Sequence, residues 1–108
     1  MAYDEELAER IRALMGDEPG LVEKKMFGGL AFLIGGNMAA AASGRGGVLV
    51  RVDPAQSDAL LGSHARPMEM RGREMRGWLR VDSEHLAGDE LSAWVERGVS
   101  YARSLPAK

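Results

Sequence analysis

The chain has 108 residues, 45% of them hydrophobic and 28% charged, with a formal net charge of −2 and no cysteine. That length suits one domain, residues 1–108, with a modest core, and the balance of apolar and charged residues is that of a folded protein rather than a disordered one. The composition excludes a disulfide framework, a thiolate nucleophile and a cysteine-type zinc site, and the longest apolar runs, 30–34 and 38–42, are far shorter than the roughly 18 residues of a membrane-spanning helix.

The acidic start, Met1-Ala2-Tyr3-Asp4-Glu5-Glu6, does not have the basic and then apolar pattern of a secretory signal, so the cytoplasm is the expected location. Arginine outnumbers lysine and alanine and glycine are abundant, as in proteins of GC-rich bacterial genomes. Charge is unevenly spread. Residues 1–23 carry seven acids against Arg10 and Arg12, while residues 24–80 carry nine bases against Asp53, Asp58, Glu69 and Glu74. Positive charge therefore concentrates on the segment that reads as sheet, and negative charge on the flanking helices.

From Asp4 to Met15, Leu7, Ile11 and Leu14 recur at helical spacing, which predicts an amphipathic helix capped by Tyr3 or Asp4 and ended by Gly16-Asp17-Glu18-Pro19-Gly20. Leu21 to Ile34 alternates imperfectly around Gly28-Gly29 and predicts one long bent strand or two short ones. Gly35-Gly36-Asn37 supplies the positive φ angles of a tight hairpin. A strand of small residues, Met38 to Ser43, a turn at Gly44-Arg45-Gly46-Gly47 and a β-branched strand, Val48 to Val52, follow.

Asp53-Pro54-Ala55-Gln56 is a helix start, with Asp as cap, Pro at the first helical position and Gln closing a capping box. That helix is short and ends at Gly62-Ser63. Arg66 to Met70 and Glu74 to Val81 predict a hairpin turned at Arg71-Gly72-Arg73; in its second strand Met75, Gly77, Leu79 and Val81 share one face, and Glu74, Arg76, Trp78 and Arg80 the other. Asp89 to Leu105 carries Leu91, Trp94, Val95, Val99 and Ala102 at helical spacing, and Gly98 within it predicts close packing on the sheet. The expected fold is α+β, a two-layer antiparallel sheet with helices on one face in the order α-β-β-β-α-β-β-α, its other face left partly open.

No nucleophile–base set emerges. The serines lie at turns or on helices, outside any Gly-x-Ser-x-Gly elbow, and His64 and His85 have no partner placed by sequence. Asp82, Glu84 and Asp89 near His85 are explained by helix capping. The glycine clusters beside Lys24, Lys25 and Arg45 match no phosphate-loop spacing and read as bulge and hairpin turns. Met26, Met38, Met68, Met70 and Met75, at strand spacing, read as core filler before an adaptable binding surface. The expectation is a non-enzyme, with no catalytic residue, cofactor or metal ligand assigned. The candidate interaction surface is Lys24, Lys25, Arg51, Arg71, Arg73, Arg76, Trp78 and Arg80, where cations flank an aromatic ring. Such a face suits a protein partner or self-association as a homodimer, with nucleic acid as the alternative and no membrane role.

Three stretches, Lys24-Lys25-Met26-Phe27-Gly28-Gly29, Gly36-Asn37-Met38 and Gly72-Arg73-Glu74-Met75-Arg76-Gly77-Trp78, resemble the N-terminal domain of the TfoX/Sxy family. The likeness runs from the opening Tyr3-Asp4-Glu5 helix to Tyr101-Ala102-Arg103-Ser104-Leu105-Pro106, with Glu74 standing where the family pattern has proline. The resemblance implies a fold similar to secretion-chaperone-like domains. It also implies a regulatory role, since full-length members regulate natural competence together with a transcription activator; the likeness here is to the N-terminal domain standing alone, without the C-terminal one. It implies no catalytic residues.

Overall fold

The computed structural model describes residues 4–16, 18–26, 28–44, 46–61, 65–70 and 72–106. The expectations placed on Tyr3, Arg45, the Gly62-Ser63 helix end, His64 and Arg71 lie outside these residues, as do those on the side chains of Met26, Met70, Glu74, Met75 and Arg76.

Helix α1 spans Glu5–Met15. Asp4 caps it, its Oδ1 accepting from the Leu7 backbone N–H at 3.2 Å, and Glu5 and Glu6 occupy the first turn, where the helix dipole favours carboxylates. Gly16 closes it at φ +51 and donates its N–H to the Arg12 carbonyl. The buried face is Leu7, Ala8, Ile11 and Met15, whereas Leu14, expected on that face, is 45% exposed. A stripe centred on Ile11 continues to the residue four positions on, which is Met15, and leaves residue 14 at its flank.

The stretch from Leu21 to Ile34 forms two strands, β1 (Leu21–Met26) and β2 (Gly29–Ile34). A Cβ on Gly29 would fall 2.1 Å from the Ala42 carbonyl oxygen, so the turn between the strands needs a glycine there to bring β2 against the next strand. Gly35 and Gly36, both at positive φ, make the two-residue turn into β3 (Asn37–Ala42). Asn37 itself is the first strand residue rather than part of the turn; it is buried and donates from Nδ2 to the Pro106 carbonyl at 3.0 Å.

Then come β4 (Val48–Arg51), α2 (Pro54–Leu60), β5 (Ala65–Met70), β6 (Arg73–Val81), a single 3₁₀ turn at Ser83–His85, and α3 (Glu90–Ser104). Asp53 caps α2 through its Oδ1, which accepts from the Ala55 N–H at 2.9 Å. All neighbouring strands are antiparallel, in the order β1-β2-β3-β4-β6-β5. The architecture is the expected α+β one. Its element order is also as expected, with the first bent strand resolved into its two-strand form.

The main core lies between sheet and helices. Phe32, Val48, Val50, Leu79 and Val81 from the strands meet Ile11 of α1 and Leu91, Trp94 and Val95 of α3, and Leu60 of α2 packs against the same cluster. The β2–β3 register slips between Phe32 and Leu33, so that Ala39 is an extra residue and joins Ala40 on the helix side. Gly98 of α3 sits over that bulge: a Cβ there would lie 2.1 Å from the Ala39 carbonyl oxygen. Among the described residues no helix is long and apolar enough to cross a membrane.

Among the described residues no helix packs on the sheet's second face, yet its centre is closed. Ala31, Met38, Ala41, Leu49 and Met68 are all buried and form one cluster, with Leu33 and Trp78 packed against it. Met68 comes from β5 at the far edge and belongs to one cluster with residues of β2, β3 and β4. The partly open face expected from the sequence is thus open at its rim and filled at its middle.

Candidate functional site

Cross-strand pairing shows which charged residues share the second face. Lys24 pairs with Ala31 and Arg51 with Trp78, and Leu49, two residues before Arg51 and so on its face, pairs with Arg80. Opposed residues of an antiparallel pair point the same way, so Lys24, Trp78 and Arg80 lie on the face of Ala31 and Leu49. Arg66, opposite Arg80, belongs there too. Lys25 does not: it pairs with Leu30, a residue of the helix-side core, and so lies on the other side of β1.

The last hairpin adds one change. The β5–β6 register jumps between Pro67 and Met68, from Pro67 opposite Leu79 to Met68 opposite Met75, and Gly77 takes φ +86 within the extra residues. Strict alternation along β6 therefore breaks at Gly77, and position 76 is not in phase with Trp78 and Arg80 as the sequence pattern had it. Arg73 is the position in phase with Met68, and its side chain is exposed.

Three of these side chains are held by contacts of their own. The Arg51 guanidinium stands 5.3 Å from the centroid of Trp78 and 5.5 Å from that of Tyr101 on α3, a double cation–π contact. Arg80 donates to the Gly46 carbonyl at 3.3 Å. Arg66 places one nitrogen 2.7 and 2.8 Å from the two oxygens of Asp82, the carboxylate that meets the rim. The result is a half-buried indole and an apolar floor bordered by Lys24, Arg51, Arg66, Arg73 and Arg80.

The edge strand β1 is fastened to α1 on the opposite side. Arg12 donates from Nε and Nη2 to the two oxygens of Glu23 at 2.6 and 2.7 Å, and also pairs with Glu9. Its hydrogen bonds hold the Glu23 carboxyl below the usual carboxylate range. On the same side Arg103 of α3 pairs with Glu18, and Arg10 donates to the Leu86 carbonyl at 2.7 Å.

A groove of about 600 Å³ runs between α2 and α3. Val52, Leu60 and Ala93 are its apolar lining; Asp53, Gln56, Glu96, Arg97, Ser100 and Tyr101 are among its polar lining. The Arg97 guanidinium lies 4.6 Å from the Trp94 ring centroid. Nothing in the sequence pointed to this groove, because its residues are spread over two helices whose pairing only the fold decides. His85 is elsewhere, its Nε2 3.6 Å from a Glu84 oxygen in the 3₁₀ turn.

The apolar centre of the second face also went unread, although a signal for it was present. Leu30 to Ile34 and Met38 to Ala42 are continuous apolar runs, which mark strands buried on both faces rather than one.

Comparison with known proteins agrees with the motifs. Searches of curated proteins and of solved structures find no match. The family model described as the TfoX N-terminal domain matches residues 13–102, which takes in every described strand, α2, the end of α1 and most of α3. The chain belongs to the TfoX N-terminal domain family.

Proposed function

We propose that this domain is a non-enzymatic interaction module that binds an acidic segment of a protein partner on the second face of its sheet. The observation that carries the reading is the set of Arg51, Arg66, Arg73 and Arg80 on the strands about Trp78, with Lys24 on the same face at the opposite edge of the sheet and Asp82 engaging Arg66. Arginine and tryptophan are the side chains that most often anchor protein interfaces. Charge also chooses between partners. A two-fold dimer through this face would set one basic rim against another, whereas an acidic segment neutralises it. The Trp78 ring already bears Arg51 against it, which leaves less of it for stacking a nucleobase. A regulatory role in competence, the role of full-length relatives, fits a module of this kind acting through a partner.

The test is fluorescence anisotropy with a labelled peptide rich in Asp, Glu and Leu, and with a single-stranded oligonucleotide, at low and high salt. The peptide is expected to bind the wild type and to be lost in the Arg51→Glu/Arg80→Glu double variant. Tighter binding of the oligonucleotide would move the assignment to nucleic acid, and a concentration-dependent dimer in light scattering, abolished by Trp78→Ala, would move it to self-association. No binding of either at low salt would end the reading.

A further inference from the structure

We propose that the groove between α2 and α3 binds a small zwitterion with an apolar side group, the chemistry of an α-amino acid. This site lies on the helix side and does not depend on the reading of the second face.

The volume, about 600 Å³, is within the usual span of small-molecule sites, roughly 300–1,000 Å³. More telling is how the charges in it are arranged. Glu96 and Arg97 are successive residues of α3, and successive helical residues do not face each other. Among the described residues Glu96 pairs with no cation and Arg97 with no carboxylate; the Arg97 guanidinium instead stands over the Trp94 ring. Across the groove the Asp53 carboxylate accepts one backbone N–H, that of Ala55, through Oδ1. Charges of both signs thus line one groove without cancelling.

A simple cation would answer Glu96 and Asp53 but leave it opposed to Arg97, and a simple anion the reverse. One molecule with an ammonium and a carboxylate on the same carbon answers both. Val52, Leu60 and Ala93 offer it an apolar floor, and the Gln56 amide and Ser100 hydroxyl add donors and acceptors. The contact with the Trp94 ring favours one placement of the Arg97 fork, which reduces the entropy that binding has to remove.

The experiment is calorimetric titration of the purified chain with each of the common L-amino acids, with amide shifts at Leu60, Ala93 and Ser100 to locate the heat. At least one amino acid with an apolar side chain is expected to saturate the site. Its amide, which has no carboxylate, and its N-acetyl derivative, which has no ammonium, are each expected to bind roughly tenfold more weakly, the scale of one charge-assisted hydrogen bond. Glu96→Gln and Arg97→Gln alter exposed side chains, so both are expected to melt like wild type and to lose binding by a similar factor. The proposal is overturned if no amino acid saturates, if the amide binds as tightly as the parent, or if binding survives in the Glu96→Gln/Arg97→Gln double variant.

Discussion

A methyl group on Gly98 would sit 2.1 Å from the Ala39 carbonyl oxygen and 2.9 Å from its carbon, both of them backbone atoms that cannot swing aside. Helix propensity favours Ala over Gly by about 1 kcal/mol, but overpacking a tight contact typically costs about 1–3 kcal/mol, and here the obstacle is the bulge itself. Gly98→Ala is therefore expected to lower stability in urea denaturation despite the better helix former; a more stable variant would show that α3 is not pinned by this contact. Glu23 supports a second expectation. Its carboxyl is lowered in the folded state by hydrogen bonds from Arg12, so the pair stabilises the fold above the unfolded carboxylate value, about 4.3, and that contribution is lost as pH falls through the lower folded value. The stability gap between wild type and Glu23→Gln is expected to be widest near neutral pH and to close on acidification below about pH 4. A gap that grows on acidification would contradict the pairing. Gly98 was legible in the sequence because a glycine inside a helix asks for a reason. The Arg12–Glu23 bridge was not, because no rule of spacing links residues on two different elements.

Helix α1 shows how finely an element's orientation depends on packing. Leu7, Ile11 and Leu14 satisfy the helical period, and so do Leu7, Ile11 and Met15; hydrophobicity alone prefers Leu14, but the sheet below α1 accepts Met15. Leu14→Lys is accordingly expected to change stability by no more than about 0.5 kcal/mol, as exposed substitutions do, while Ile11→Ala is expected to cost about 2–5 kcal/mol. Chemical denaturation of the two variants decides it: similar losses would mean the face has been assigned wrongly. Hairpin β5–β6 carries the same lesson for strands. Period-two reading placed positions 76, 78 and 80 together, and Gly77 at positive φ breaks the count between 76 and 78. A glycine within a strand announces that a bulge is possible but does not say how many residues the partner strand skips.

On the scale of the whole molecule the sheet separates two apolar layers of unequal size. The larger was legible, since Val48, Val50, Leu79 and Val81 alternate against helices with matching stripes. The smaller came from strands apolar on both sides and from Met68 of the edge strand, which sequence spacing does not link to them. Leu49 tests it, being 4% exposed on a face that no helix covers. If that layer is a true core, Leu49→Ala costs about 2–4 kcal/mol in equilibrium unfolding; a loss within about 0.5 kcal/mol would mean that the face is surface after all. The candidate surface was legible as a set of basic residues around Trp78, but which of them share a face depended on register, which moved Lys25 away and brought Arg66 in. Arg51 extends past both layers, touching Trp78 on the strand side and Tyr101, which lines the groove beside α3. If both surfaces take ligands as proposed, one guanidinium shared by two rings would link the two equilibria. Whatever draws Arg51 from one ring alters the other, and linkage of this sort is reciprocal. A ligand seated in the groove is thus expected to change affinity at the basic face by the same factor by which a partner on that face changes affinity in the groove, and Arg51→Met is expected to uncouple them.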